Sequence, residues 1–271
     1  MKYVLENSGE ALRLEKQSMS VLYDPLVELV DFDLRRGQKI LDAGCGSGLV
    51  ARAIQRLHPD TRVTAIDAST ARITEAKNLA GESSKIEFRV ANVCDPALSA
   101  LGKFDRIMCR FLVEHLSAAD QIVAVRNLAA VLRGNGQLRL IDMDGGMLNI
   151  YPQTPWVKEC LTIFEKKKAF DFFAGRRLTK LLVDAGLSSV TWRVQTMVMN
   201  TEQSLQEEVA LIKERFEHTL PAMMQLLGSR VKAELFQKQY IKTLTCPGTT
   251  LFYNKFIATG VNHPRGHLKA V

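Results

Sequence analysis

From residue 38 to residue 142 the chain alternates short apolar runs with longer stretches in which apolar residues recur every three or four positions. That is the rhythm of strands taking turns with helices. Ile40-Leu41 leads into a glycine-rich turn, after which Leu49, Ala53, Ile54 and Leu57 mark one face of a helix. Arg62 to Asp67 reads as a second strand, and a helix from about Ser69 to Ala80 is closed by Gly81. Ser117 to Asp120 has the form of a capping box opening a helix expected to end at Gly134. The pattern predicts an α/β fold with a parallel, doubly wound sheet and short connections.

Outside this core the apolar spacing is mostly helical. Glu10 to Val21 and Pro25 to Val30 read as helices ahead of the first strand. Thr154-Pro155 opens a helix with Trp156, Cys160, Leu161 and Phe164 on one side, and Arg177 to Ala185 forms another before Gly186. Val190 to Val198 reads as a strand. Two amphipathic helices are expected next, Asn200 to His218 with apolar positions 205, 209, 212 and 216, and Pro221 to Leu244 with 227, 231, 235 and 241. Thr249 to Thr259 is the expected closing strand. The chain thus divides into residues 1–36, 37–145 and 146–271.

The turn after the first strand carries the chemistry. In Asp42-Ala-Gly44-Cys45-Gly46-Ser-Gly48 three alternate glycines allow backbone conformations closed to other residues and let a ligand approach the main chain. At the tip of the next strand Asp67 can accept both hydroxyls of a ribose, so the two features together indicate a nucleoside-containing cofactor. Gly46-Ser-Gly48-Leu-Val-Ala51 also fits a dinucleotide fingerprint. Its register argues against a pyrophosphate: Gly46 comes two residues late, and the Asp42 carboxylate stands where an anion would approach. S-adenosylmethionine, with an ammonium and a sulfonium, suits that acid.

These residues resemble the class I S-adenosylmethionine-dependent methyltransferases, whose first motif is an acid followed by G-x-G-x-G. The resemblance continues in order to about residue 145. It likens Phe88 to Val93 to the third strand and its adenine-binding tip, Lys103 to Cys109 to the fourth strand, Val113 to Leu116 to the segment after it, and Leu132 to Leu140 to the turn into the fifth. It implies a Rossmann-like, seven-stranded sheet with helices on both faces and an antiparallel last strand, and S-adenosylmethionine as cofactor. The implied cofactor contacts are Asp42, Gly44, Cys45, Gly46, Gly48, Asp67, Ala68, Asn92, Val93, Cys109 and Arg110. At the adenine position the family usually has an acid before a small residue. Here Asn92 precedes Val93, and asparagine accepts from the adenine amine without charge. The opening run also resembles a subgroup of small-molecule enzymes, of the kind that tailors natural products in secondary metabolism, whose first helix closes over the cofactor; Tyr3 and Gln17 would then reach its methionine end.

In that family, additions before the first strand or between the last two cover the substrate. A lid of the N-terminal helices, residues 145–175 and residues 200–246 would enclose a pocket at the carboxyl ends of the strands. Enclosure favours a small-molecule methyl acceptor, methylated on oxygen or nitrogen. His115 is the candidate base, with Glu114, Asp144 and His218 as alternatives. Phe111, Glu114, Asp144, Tyr151 and Phe173 are candidate substrate contacts, the aromatic ones suited to flat or cationic acceptors. Trp156 and Phe164 read instead as helix core.

Composition narrows the picture. A chain of 271 residues that is 46% apolar can build one continuous core with an elaboration. There is neither an uninterrupted run of 18 apolar residues nor a signal-peptide pattern, so the expectation is a cytoplasmic protein, monomer or homodimer. Five cysteines, at 45, 94, 109, 160 and 246, lack paired spacing, which argues against a disulfide framework and a zinc site; they read as small apolar filler. Residues 1–150 hold 19 basic and 19 acidic side chains, while residues 151–271 hold 17 against 10, so the net charge of +7 belongs to the second half. Docking of RNA or of a protein substrate on that half is the alternative reading, but Lys166-Lys-Lys168 is too short for a nucleic-acid track.

Overall fold

The computed structural model describes residues 23–167, 171–199 and 202–263. The expected helix Glu10 to Val21, Tyr3 and Gln17 lie outside the described residues.

Eight strands form one sheet: β1 (Lys39–Ala43), β2 (Arg62–Asp67), β3 (Glu87–Val90), β4 (Phe104–Arg110), β5 (Leu132–Asp144), β6 (Ile150–Tyr151), β7 (Ser188–Met199) and β8 (Thr250–Val261). Their order is β3-β2-β1-β4-β5-β8-β6, with β7 also paired to β8. The β3 to β5 side is parallel, and β8 runs antiparallel to β5, β6 and β7. The seven expected strands are present, and the two-residue β6 is the eighth. Side chains alternate between the two faces, as strand geometry requires. Leu41, Ile107, Cys109, Leu138 and Leu140 enter one core with Val125, Leu128, Leu178 and Leu182. Ile40, Met108, Ile141 and Ile257 enter the other with Val50, Ile54, Ile73 and Phe32.

Helices α1 (Pro25–Leu29), α2 (Leu49–Leu57), α3 (Thr70–Ala80), α4 (Ala118–Ala130), α5 (Pro155–Lys166) and α6 (Leu178–Asp184) follow the expected order. Ser69 and Thr154 cap α3 and α5, and Ser117 Oγ accepts from Asp120 N as the capping box requires. Helix α4 stops at Ala130, short of Gly134. Phe104 N donates to Val131 O at 2.9 Å, which draws residues 131 and 132 into the sheet, and Gly134 falls in an irregular stretch of β5.

The cap over the sheet departs further from the sequence reading. Helix α7 (Glu202–Leu227) runs straight through Pro221, and the break falls at Gly228 (φ 73°) before α8 (Arg230–Leu244). A mid-helix proline removes one hydrogen bond. Its position is tolerated because Val209, Ile212, Phe216, Met223 and Leu227 form one buried stripe across it. In α8 the expected apolar positions 231 and 235 are exposed, at 72% and 42%; the buried face is Ala233, Phe236, Tyr240 and Leu244. Aromatic volume chose that face. Phe236 packs edge-on to Phe164 at 5.1 Å between centroids and tilted against Phe216 at 5.7 Å, so α5, α7 and α8 share one core with β8.

The end of α1 and the segment after it are held by charge. Glu28 binds Lys255 Nζ at 2.7 Å and Arg110, Asp31 binds Arg139 at 2.9 Å, and Asp33 binds Arg106 at 2.9 Å. Three carboxylates on residues 28–33 thereby meet basic side chains from β4, β5 and β8.

If aromatic packing sets the orientation of α8, Phe236→Ala should lower unfolding free energy by about 3–5 kcal/mol, against less than about 1 kcal/mol for Leu235→Ala, measured by denaturant titration. Comparable losses would mean that α8 is rotated.

Candidate functional site

The glycine turn closes the first β-α unit. Gly44 N and Cys45 N both donate to Ile66 O, at 2.8 and 2.9 Å, locking the turn to the end of β2. Gly44, Gly46 and Gly48 have φ of 75°, 52° and 78°, a region that L side chains rarely enter. A Cβ at Gly44 would stand 2.9 Å from the Leu112 side chain, and one at Gly48 would stand 2.9 Å from the Phe88 ring. At these two positions the protein's own packing, besides any ligand, demands glycine.

Asp67 is tied to this turn. Its Oδ2 accepts from Gly46 N at 3.0 Å and its Oδ1 from Ser69 N at 2.9 Å, so the carboxylate is fixed at the lip of the cradle. Ala68 and Asn92 are exposed beside it at the tips of β2 and β3. Asn92 Oδ1 accepts from Cys94 N at 2.9 Å, which shapes the β3 tip, while Val93 turns inward to the core. Gly44, Gly46, Asp67, Ala68 and Asn92 thus line one accessible rim across three adjacent strand ends. That rim has the donors and acceptors a nucleoside needs: backbone N–H groups, a carboxylate for vicinal hydroxyls and an amide for a base edge.

Four of the expected contacts, Asp42, Cys45, Cys109 and Arg110, have side chains that turn away from this rim. Asp42 lies beneath the turn, 1% exposed, its Oδ2 accepting from Ala51 N at 3.0 Å in the first turn of α2. Burial lifts its carboxyl to about 7, an effect opposed by the Ala51 bond and by Arg110. Cys109 is packed in the core and Cys45 is also buried; burial pushes both thiols far up, so they stay protonated. Arg110 turns to the N-terminal side, bonding Glu28 and donating to Tyr23 O at 2.6 Å while lying over the Phe111 ring. Phe111 has φ 51° and meets the Tyr23 ring edge-on at 6.1 Å.

The second group of candidate residues lies on the turn after β4, the end of β5 and the cap. His115 Nε2 lies 3.6 Å from Glu114 Oε1. Glu114 N donates to Asp142 Oδ2 at 3.1 Å, and both carboxyls are buried, Asp142 completely. Burial pushes Glu114 well above the usual carboxylate range and Asp142 up to about 6. From the cap, Glu208 Oε1 accepts from Tyr253 OH at 2.7 Å, and Tyr240 OH donates to Met147 O at 3.1 Å. Arg215 of α7 interacts electrostatically with both Glu208 and Glu114. Asp144 is committed to a two-point bond with Arg176, at 2.7 and 2.8 Å, whose guanidinium lies 4.3 Å over Phe173. Tyr151 is 72% exposed on β6 and does not wall this interior. His218, the remaining alternative base, is half-buried on α7.

Sequence reasoning missed Glu28, Lys255, Glu208, Arg215, Tyr240 and Tyr253. Lys255 and Glu28 did leave a signal, each a charge inside an otherwise apolar run. Glu208, Arg215 and Tyr240 looked like ordinary polar positions of amphipathic helices. Among the described residues no group of three or more His, Cys, Asp or Glu could hold a metal ion, and no helix is long and apolar enough to cross a membrane.

Comparison with known proteins places this rim in context. Residues 40–136 match the family model described as a methyltransferase domain. A ubiquinone biosynthesis O-methyltransferase of Xanthomonas campestris pv. campestris (strain B100) is 36% identical over 105 residues, 38% of this chain and 42% of that protein. Its counterpart in Xanthomonas oryzae pv. oryzae (strain PXO99A) is 35% identical over the same length. The chain therefore spans less than half the length of the curated relatives it matches. Among solved structures, Haemonchus contortus phosphoethanolamine N-methyltransferase 2 in complex with S-adenosyl-L-methionine is similar at a TM-score of 0.58 and 14% identity, over 97% of this chain and 61% of that one. The cyclopropane synthase MmaA2 of Mycobacterium tuberculosis is similar at 0.59 and 15%, over 92% and 88%. At such identities the likeness is one of fold.

Asp42→Asn keeps an acceptor for Ala51 N and removes the titration. An acid whose folded pKa is raised contributes stability that is present below its unfolded value, near 4, and lost as pH rises through about 7. Wild type should therefore lose up to about 4 kcal/mol more than Asp42→Asn between about pH 4 and about pH 8, measured by denaturant titration at each pH. Equal losses would place the Asp42 carboxyl in water.

Proposed function

We propose that this chain, which carries a methyltransferase domain of the class I S-adenosylmethionine-dependent kind over residues 40–136, methylates a small acceptor enclosed between the strand ends and the helical cap. The observation that carries this reading is the rim at the ends of β1, β2 and β3, where Gly46 N and the Asp67 carboxylate are fixed against each other at 3.0 Å. In this reading the Gly44 to Gly48 backbone cradles the cofactor, Asp67 takes the ribose hydroxyls and Asn92 takes the adenine amine. S-adenosylmethionine, when bound, supplies an electrophilic methyl on a sulfonium. The protein's part is alignment, exclusion of water and removal of a proton.

His115 is the base in this scheme, placed on the turn that follows β4 and held by its backbone N–H to Leu112 O at 3.0 Å. A small acceptor is favoured by the buried Tyr240, Tyr253 and Glu208, which crowd the cap on this side of the sheet. The likeness to O-methyltransferases over residues of the domain supports oxygen as the receiving atom, with nitrogen as the other option. Three basic side chains of the second half, Lys255, Arg193 and Arg176, pair with Glu28, Asp31 and Asp144 of the first, which weighs against a nucleic-acid docking surface.

Calorimetry with S-adenosylhomocysteine and with nicotinamide dinucleotides separates the cofactor readings; binding of the former alone is expected. Asp67→Ala should weaken S-adenosylhomocysteine binding about 10- to 100-fold, as loss of charge-assisted hydrogen bonds does. His115→Ala should leave that affinity unchanged and lower turnover about 100- to 10,000-fold, followed with labelled S-adenosylmethionine and a panel of phenols, catechols and amines. Nicotinamide binding, or equal effects of both variants on affinity, would overturn the assignment.

A further inference from the structure

Behind His115 two buried acids stand side by side with one set of donors between them. Asp142, on β5, is supplied by the backbone: Glu114 N reaches its Oδ2 and Met143 N its Oδ1, each at 3.1 Å. Glu114 has no comparable support. Its Oε1 faces His115 Nε2 at 3.6 Å, and its Oε2 is fully buried with no hydrogen-bond partner among the described residues. The cations facing the pair do not fill that gap. Arg110 of β4 is committed to Glu28 and Tyr23 O, and Arg215 of α7 acts on Glu208 as well as on Glu114. The neighbouring thiol of Cys109 is neutral. Two ionised carboxylates in contact in so dry a place would repel, and each would lack solvation.

We propose that Glu114 and Asp142 hold a single proton between them, Glu114 as the neutral acid donating into the Asp142 carboxylate, and that this pair is the support against which His115 works. The proton supplies the partner that Glu114 Oε2 lacks, and it halves the buried charge. The direction of the burial effect agrees, since burial pushes both carboxyls up while the backbone donors favour the charge on Asp142.

The functional part rests on the reading of His115 as the base. When the acceptor's O–H or N–H bond breaks, the proton goes to the imidazole, and its Nε2–H then faces Glu114 Oε1. The pair keeps its own proton, and its single negative charge balances the imidazolium through Glu114. Glu114 and Asp142 act through His115 and are positioning residues.

Infrared spectroscopy of the full chain labelled with ¹³C-carboxyl glutamate tests the pair without any substrate. The expected result is a protonated glutamate band that persists at neutral pH, is missing in Glu114→Gln and survives in Glu208→Gln. Absence of that band from wild type, or its survival in Glu114→Gln, would overturn the proposal. If Glu114→Gln does not fold, Asp142→Asn serves instead: with the like charge gone, the Glu114 band should titrate at least about one pH unit lower, and an unmoved midpoint would overturn the pair. S-adenosylhomocysteine calorimetry on wild type keeps the two readings apart. Its failure removes the methyltransferase reading and leaves the band to decide the pair alone.

Discussion

Glu28 is fully buried, and so is the Lys255 ammonium that it meets; neither charge could stay there without the other, and Arg110 takes the second carboxylate oxygen. A buried ion pair of this kind adds little net stability over a well-packed apolar pair, yet breaking it leaves a charge stranded, at a cost of about 3–5 kcal/mol. Its value lies in geometry. Asp31 repeats the arrangement with Arg139 and Arg193, and Asp33 with Arg106. A six-residue segment is thereby seated across β4, β5, β8 and β7 in one register, and a shift by one position would strand several charges together. Because Arg110 also leads directly into Phe111 and the turn bearing Glu114 and His115, the same seat positions the proposed acceptor side.

The two halves of the site are made by different physics. On the proposed cofactor side the work is done by backbone: positive φ angles, a turn sewn to Ile66 O and one carboxylate fixed by N–H groups. Such a surface is indifferent to the remainder of each side chain. On the proposed acceptor side the work is done by buried polar side chains from three separate parts of the sequence, and their protonation follows from how little water reaches them. In the proposed function, recognition of the cofactor and selection of the acceptor are thus separable.

The sequence made the first half legible and much of the second opaque for the same reason. Glycine alternation and an acid at a strand tip are local signals, and strand and helix boundaries in residues 38–130 follow from period and caps that act over a few residues. The end of α4 escaped because a sheet contact between Phe104 and Val131 overrides local preference. The orientation of α8 escaped because Val231 and Leu235 match the apolar period as well as Phe236 and Tyr240 do, and only the packing of Phe164 and Phe216 decides between them. Asp42 was legible as an acid at a strand end but not as one facing inward, since nothing in a sequence says which side of a tight turn a carboxylate takes. Arg215 and Glu208 became meaningful only once α7 lay over Glu114 and Tyr253.

Strand β8 has a consequence for how the molecule comes to be made. It is the last strand of the sheet in sequence, yet it lies inside the sheet, bonded to β5 and β6 on one side and to β7 on the other. Until it arrives, β5 and β7 each present an unpaired edge, and the carboxylate of Glu28 has no ammonium to meet. A growing polypeptide leaving the ribosome can assemble β1 to β5 but must hold two open edges in a crowded milieu until residue 261 has emerged. Such a stage invites intermolecular pairing and is one that a chaperone would shelter.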